Sequence, residues 1–375
     1  MGARDAGGSP AGGRTGAVAL AAAIVGVAAG LVVAFVLFVV LDDGWSQVVW
    51  VVVGTFLLWQ AVPRPGRPSA KAVAVGAQEA PALHALVTEV ASAVGARRPQ
   101  SLVVDTVYAT SLVPVGYRGR ATLVLGLPQW TALDDDERVA TLAHALACAE
   151  PARSPAGILV RLADDLLTRL VLLLSPTAAV QPHETTRQQY DSGLGALGAG
   201  DELAGDRMRR EVATSVGAAG LTVVASPARI LQGALRRAAQ PSGTRSCLHA
   251  DRAAAALVGS PTVVGLLLST LPVPRAWVAA EVAARRRADP FEAMVRAERP
   301  GSDELARRLA AATSAGERVG PGHAPTAVRV EALRQPEVVT RAVVPAAVRA
   351  ADRDLDPYRV RLAQRFAEEL VHGRS

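Results

Sequence analysis

The chain has 375 residues, of which 50% are hydrophobic and 4% aromatic, and its formal net charge is +6. This length is sufficient for one large domain or two modest ones with a sizeable core. With so few aromatic residues and no basic motif, the positive charge does not predict nucleic-acid binding. The chain has 2 cysteines, which excludes a fold stapled by a disulfide framework.

The strongest apolar signal lies near the N-terminus. Residues 17–41 (AVALAAAIVGVAAGLVVAFVLFVVL) carry no charge. This run exceeds the ~20 residues that cross a bilayer and the ~7–15-residue apolar core of a signal peptide. A second apolar run, residues 47–62, follows a short loop. We predict two transmembrane helices within residues 17–62, preceded by a tail (residues 1–16) and followed by a linker (residues 63–78).

Charges on either side of these runs predict the orientation of the hairpin. Arg4 and Arg14 precede it, Arg64 follows it, and the connecting loop contains Asp42 and Asp43. The positive-inside rule then places both termini and the main domain in the cytoplasm, as parts of a multi-pass protein of the cell membrane. The lipid bilayer is the first predicted partner, and we expect no nucleic-acid partner.

The rest of the chain predicts an α+β fold that is mainly helical. Residues 79–96 have helical periodicity, and an acidic run at residues 134–137 favours a helix N-terminus through the helix dipole. Three short segments rich in β-branched residues lie between them and predict a small sheet: residues 101–105, 109–117 and 121–126. The last helix, which begins at Leu355, is amphipathic, and we expect it to pack on the body rather than lie on the membrane surface.

Two later apolar stretches, residues 156–180 and 261–284, are interrupted by charges or prolines. We expect core or membrane-facing helices at both places rather than further membrane spans.

Residues 141–150, TLAHALACAE, raise a chemical question. His144 and Cys148 are four residues apart, so both lie on one face of a helix. A zinc peptidase helix reads H-E-x-x-H, in which two histidines bind the metal and the glutamate activates a metal-bound water. Here Ala145 stands at the glutamate position and Cys148 at the second histidine.

The order of these segments resembles the M48 metallopeptidases, the HtpX-like and Ste24-like membrane zinc proteases. The three matching stretches are LDDDERVATLAHALAC (133–148), TRSCLHADRAAAAL (244–257) and GHAPTAVRVEAL (322–333). The resemblance covers most of residues 79–335 and the N-terminal hairpin. It implies a zincin-like peptidase domain over residues 79–335 and leaves residues 336–375 as a C-terminal helical extension.

The resemblance also assigns the candidate site. It places His144, Cys148 and Cys247 at the three metal-ligand positions, and it implies supporting roles for Asp251, as an orienter of His144, and for His323. No catalytic residue is expected, because the position of the general base is Ala145.

Three interpretations of the site remain open. His144 and the cysteines are a vestigial, buried cluster; or they retain zinc through one imidazole and two thiolates; or Cys148 and Cys247 form a disulfide in place of the metal. None of them supports an efficient peptidase, because removal of a general base costs ~10²–10⁴-fold in rate.

The sequence therefore predicts a membrane-anchored pseudopeptidase that binds membrane-protein segments or a peptide partner. Zincins bind extended chains by adding a strand to a sheet edge, and we predict that residues 121–126 form that edge. The alternative is an active zinc-dependent membrane endopeptidase with unusual His/Cys/Cys ligands.

Overall fold

The computed structural model describes residues 10–41, 51–52, 55, 69, 71–116, 120–174, 216–269, 275–297, 300–314, 324–334, 339 and 343–372. Within these residues the helices are α1 (Pro10–Leu41), α2 (Pro81–Ala93), α3 (Leu127–Ala132), α4 (Asp135–Ala149), α5 (Pro155–Leu174), α6 (Val216–Val258), α7 (Ser260–Ser269), α8 (Arg275–Arg285), α9 (Pro290–Val295), α10 (Ser302–Ser314), α11 (Thr326–Ala332), α12 (Pro345–Asp354) and α13 (Asp356–His372). The strands are β1 (Val73–Val75), β2 (Ser101–Asp105), β3 (Ser111–Val115) and β4 (Arg120–Gly126). The prediction of a mainly helical protein with a small sheet is confirmed.

The four strands form one mixed sheet in the order β1-β2-β4-β3. β2 and β4 are parallel, whereas β1 and β3 pair antiparallel with them. The prediction that residues 121–126 form an edge was wrong. β4 lies inside the sheet because its neighbours β2 and β3 take both of its hydrogen-bonding sides, which leaves β1 and β3 at the edges.

β1 corrects a second expectation, since it lies inside the segment predicted to be a linker (residues 63–78). Val73 to Val75 pair with Val104 to Leu102 of β2. Valine favours β-strands, and two of the three residues of β1 are valines. One of them, Val75, is buried in the core. The chain thus joins the domain before the predicted domain boundary.

The predicted start of α4 is confirmed. Asp134 accepts a hydrogen bond from the backbone N–H of Glu137 (2.8 Å), and the Glu137 carboxylate accepts one from the backbone N–H of Asp134 (3.0 Å). This is a capping box, which satisfies two donors that a helix otherwise leaves without partners. The cap fixes where α4 begins and therefore which face carries His144.

One large apolar core holds the sheet, α2, α4 and the C-terminal helices together. Trp130 and Phe366 are its largest fully buried side chains, and Phe366 stacks on Phe291 with ring centroids 5.0 Å apart. Residues 336–375 were predicted to be an extension, but their helices α12 and α13 contribute Val348, Leu355, Tyr358, Leu362 and Leu370 to this same core. The expectation that the last helix packs on the body is confirmed.

Hydrogen bonds also tie α12 into the domain. Asp354 accepts from the backbone N–H groups of Ala82 (2.8 Å) and Leu83 (3.1 Å), so a residue from α12 caps the N-terminus of α2. The buried Trp130 donates its indole N–H to Asp352 at 3.0 Å. The C-terminal helices therefore belong to the same folding unit as the sheet.

At the other end of the chain, α1 contains a stretch, Thr15–Phe38, that is long and apolar enough to cross a membrane. Among the described residues it is the one helix that meets this criterion. Most of the second predicted span, residues 47–62, lies outside the described residues, although Val51, Val52 and Thr55 are helical. The two later apolar stretches correspond to α5 and to the pair α7 and α8, as expected.

Candidate functional site

The candidate site lies where α4 packs along α6, the most extensive helix contact in the described fold. α4 contributes His144 and Cys148, and α6 contributes Cys247 and Asp251 one turn apart. Because residues four apart share a helix face, each helix turns its two candidate side chains toward the other. The three segments of the sequence resemblance therefore meet in space, since α11, which lies within the third of them, also reaches the site.

His144 and Asp251 form the central polar contact. His144 Nδ1 lies 2.8 Å from Asp251 Oδ1. The Asp251 side chain is 1% exposed and that of His144 24% exposed, so the carboxylate is enclosed while the imidazole reaches the surface. A carboxylate on Nδ1 leaves Nε2 free to face another group, which is the arrangement that orients a functional histidine.

Arg329 of α11 completes the polar centre. Its Nε donates to Asp251 Oδ2 and its terminal nitrogen to Asp251 Oδ1, both at 2.7 Å. The same terminal nitrogen is 3.4 Å from His144 Nδ1. Such a bidentate contact is the strongest form of arginine–carboxylate pairing. It offsets the cost of burying the Asp251 charge.

These contacts shift the pKa values of Asp251 and His144 in opposite directions. Burial opposes the charged form of Asp251, but hydrogen bonds from Arg329 and His144 outweigh it and bring its pKa well below the usual range. Burial likewise opposes protonation of His144, yet the contacts with Asp251 and Cys247 raise its pKa above the ordinary value. The site thus favours a carboxylate beside an imidazolium.

The two thiols adjoin this pair. Cys247 is fully buried and Cys148 is half-buried, and both are free cysteines. The Cys247 sulfur interacts with the Cys148 thiol and with His144. The Cys148 thiol donates to Cys247, which lowers the pKa of Cys247, and His144 and Arg329 favour its thiolate further. The pKa of Cys148 is raised, because its thiol donates a hydrogen bond to Cys247 and because burial disfavours its thiolate.

The arrangement does not fit a bound zinc ion as it stands. In the part of the chain that the structure describes, no group of three or more His, Cys, Asp and Glu side chains is arranged to hold a metal ion. The thiols of Cys148 and Cys247 face each other, and the Arg329 guanidinium lies against the imidazole. A divalent cation prefers deprotonated donors that point at a common centre. Zinc binding by these residues stays a prediction.

The structure brings some of the predicted site residues together and does not describe others. His144, Cys148, Cys247 and Asp251 are brought together, and Asp251 Oδ1 lies 2.8 Å from His144 Nδ1. The role of Asp251 as an orienter of His144 stays a prediction. Ala145, at the general-base position, is 6% exposed and has no proton-accepting side chain. His323 lies outside the described residues.

Arg329 is the residue whose role the sequence analysis missed. It stands in the third matching stretch, but nothing in that stretch indicates a pairing with Asp251. The feature that could have indicated this pairing is Asp251 on α6, because a buried aspartate requires a cationic partner.

A cleft in the described part of the body does not include the site residues. It measures about 410 Å³ and lies among α3, α9, α12 and α13, with Phe291, Met294 and Val360 in its wall. Its two arginines, Arg138 and Arg359, are both paired with Asp352. These pairs stabilise the packing of α13, so we assign the cleft no chemistry.

Comparisons with protein-family models, with curated proteins and with solved structures found no match to this chain. The M48 resemblance therefore rests on the three motif stretches, and membership of that family stays a prediction.

Proposed function

We propose that the protein is a membrane-anchored, M48-like pseudopeptidase that binds an extended segment of a membrane protein or another peptide partner. The observation that carries this proposal is the closed cluster at the predicted metal position. His144 faces Asp251, the two thiols face each other, and the general-base position is Ala145. A peptidase needs an open metal position and a base beside it, and this cluster supplies neither.

The retained Asp251–Arg329 pair supports a scaffold role for the site. A buried ion pair of this kind costs desolvation energy, and loss of one partner leaves an uncompensated charge. The pair joins α6 to α11, and His144 extends it to α4. Such a site can lose its catalytic activity and still keep the relative positions of its three helices. The shape of the surface is then kept as well.

A binding surface for the partner is available at β3. This strand is an edge of the sheet and packs against α4, the helix that carries His144. Leu112 is buried, whereas Val113 and Val115 are half-buried and available to an incoming chain. Pro114 lacks an N–H group, so pairing along β3 is limited to a short segment. Strand addition at this edge requires no metal.

The membrane anchor belongs to the same proposal. α1 supplies one candidate span, and the second predicted span and the cytoplasmic orientation rest on the sequence. Reporter fusions after residues 16 and 75 test both, since we expect a cytoplasmic signal from each. A signal from the opposite side at residue 75 alone would mean one span instead of two.

The experiment that tests the function measures metal and cleavage together. Purified full-length protein should contain no stoichiometric zinc by elemental analysis and should not cleave casein above background. Chelator-sensitive cleavage that is abolished by His144→Ala would overturn the proposal and establish the alternative, an active zinc endopeptidase with His/Cys/Cys ligands.

A restoring variant tests the scaffold directly. Ala145→Glu with Cys148→His and Cys247→Glu rebuilds H-E-x-x-H and a third carboxylate ligand on α4 and α6. We expect this variant to bind zinc, because the three positions already face one another, and the matched control with His144→Ala added to bind much less. Absence of zinc from the restored variant would contradict the assignment of these positions to a former metal site.

A further inference from the structure

Two soft sulfur donors face each other across the contact of α4 with α6. Cys148 and Cys247 are the 2 cysteines of the whole chain, and both are free. Although they lie far apart in the sequence, the Cys148 thiol donates a hydrogen bond to the Cys247 sulfur. One proton is therefore shared between two sulfurs that belong to different helices.

Small side chains allow the two helices to approach closely at this point. Ala140 lies on the same face of α4 as Cys148, and Ala250 and Ala254 lie on the same face of α6 as Cys247; all three alanines are fully buried. The distance between packed helices depends on the side chains at their contact. Cys247 is fully buried as well, whereas Cys148 is half-buried. The sulfur pair is thus enclosed on the side of α6 and reached from solvent on the side of Cys148.

The neighbouring imidazole is already engaged at both of its nitrogens. His144 Nδ1 lies 2.8 Å from Asp251 Oδ1, and the ring also donates a hydrogen bond to the Cys247 sulfur. Because Nδ1 faces the carboxylate, the contact with sulfur uses Nε2. His144 therefore supports a sulfur ligand from outside, as hydrogen-bond donors around metal ligands do, and does not add a third ligand.

Two sulfurs suit a different metal from the one that the M48 resemblance implies. Zinc takes four ligands in structural sites and three protein ligands with a water in catalytic sites, which is more than this pair offers. Thiolates are soft ligands, and Cu(I) is a soft ion that they select. A monovalent ion between the two sulfurs carries the same single charge as the proton that they share, so it can take the place of that proton.

We propose that Cys148 and Cys247 form a two-coordinate site for a soft monovalent cation of the Cu(I) class, in place of a zinc site. Binding forms two sulfur–copper bonds and releases the thiol protons to solvent; copper remains Cu(I), so no electron is transferred. His144 is a positioning residue, because it donates to the Cys247 sulfur. This inference goes beyond the proposed peptide binding and does not depend on it, since strand addition at β3 uses other residues.

Competition with a coloured Cu(I) chelator tests the site. The full-length protein in detergent micelles is reduced with a phosphine, kept free of oxygen and titrated with the Cu(I)–bicinchoninate complex. The variants are Cys148→Ala, Cys247→Ala and the double variant, which measures the background from histidine and methionine. Because the chain has no other cysteine, binding by thiols has to involve these two. Circular dichroism checks that each variant retains its helices.

We expect the wild type to take one Cu(I) per chain from the chelator and each cysteine variant to lose this uptake. His144→Ala should keep the stoichiometry with an affinity ~10–100-fold lower, which is the usual effect of removing a group that supports a metal ligand. X-ray absorption at the copper edge should show two sulfur neighbours. Uptake by the double variant equal to that of the wild type would overturn the proposal, and a nitrogen neighbour that disappears in His144→Ala would refute the two-coordinate geometry.

A second measurement uses the unmodified chain, so that it does not depend on whether the variants fold. The half-buried Cys148 is alkylated with iodoacetamide, and mass spectrometry follows the rate. One equivalent of Ag(I), a redox-inert ion of the same class, should protect Cys148 strongly, whereas one equivalent of Zn²⁺ should leave the rate unchanged. Equal protection by Zn²⁺ would show that the site does not select a soft monovalent ion, and an unchanged rate with Ag(I) would exclude binding at the sulfur pair.

Discussion

Arg329 binds both carboxylate oxygens of Asp251 at 2.7 Å, although the two residues are 78 positions apart in the chain. Asp251 in turn lies 2.8 Å from His144 on a third segment. This three-residue contact connects α11, α6 and α4, and it includes His144, one of the predicted metal ligands.

The first prediction concerns the stability of this contact. Arg329→Ala leaves a buried carboxylate without its bidentate partner, so we expect the free energy of unfolding to fall by ~3–5 kcal/mol. The matched control is Arg334→Ala on the same segment, which removes an exposed pair with Glu331 and should change stability by ~0–1 kcal/mol. Denaturant unfolding of the full chain in detergent micelles measures both. Equal effects of the two variants would contradict a structural role for the Asp251 pair.

The second prediction concerns pH. The pKa of His144 is raised, so its contribution to stability is complete below the unfolded pKa of ~6.5 and is lost as the pH rises through the folded value. The pKa of Asp251 is lowered, so its contribution is present above ~3.9 and is lost as the pH falls through the folded value. The stabilisation from this pair is therefore largest between these limits.

Melting temperatures measured across this pH range check the assignment. We expect His144→Asn to flatten the loss of stability on the alkaline side, and His249→Asn, an exposed position on α6, to leave the profile unchanged. An unaltered profile in His144→Asn would show that another group is responsible.

The third prediction concerns the thiols. Cys148 and Cys247 are free and interact with each other, so a mild oxidant should join them in an intramolecular disulfide without unfolding the protein. The bond would close a loop of about 100 residues, for which the chain-entropy estimate is ~4.7 kcal/mol of stabilisation. We expect intact mass spectrometry to detect the loss of two hydrogens in the wild type, and none in Cys148→Ser. Formation of intermolecular dimers instead would mean that the two sulfurs do not face each other.

The fourth prediction concerns Gly126, where β4 leads into α3. A Cβ at this position would lie 2.2 Å from the Val107 carbonyl oxygen and 2.4 Å from that of Ala109. Because both obstacles are backbone atoms, Gly126→Ala must displace the loop after β2, and we expect a marked fall in melting temperature.

Gly265→Ala is the matched control, since nothing lies within 4 Å of its Cβ position on α7. A helical Gly-to-Ala change in open space should stabilise by ~0.5–1 kcal/mol. If Gly126→Ala were as well tolerated as this control, the close approach of the loop to β4 would be refuted.

Local features of the sequence determined much of the fold. The acidic run after Leu133 predicted the start of α4 because acidic side chains favour a helix N-terminus through the dipole, an effect confined to the first turn. In the structure Asp134 and Glu137 of that run form a capping box. β2 matched its predicted bounds, and α1 contains the uncharged run 17–41 and ends with it at Leu41, because strand and span signals are periodic or continuous over short windows. The spacing of His144 and Cys148 likewise predicted that both lie on one helix face.

Only the tertiary structure decided how those elements meet. The place of β4 inside the sheet depends on β3 folding back onto it, which a strand pattern does not encode. The cap that Asp354 provides for α2 and the pairing of Arg329 with Asp251 join positions far apart in the chain. The apolar contact of α1 with α5 and α6 is equally non-local. Such contacts form because burial of apolar area and pairing of buried charges offset the entropy lost in closing long loops. Both stabilising contributions arise only when the whole chain is folded.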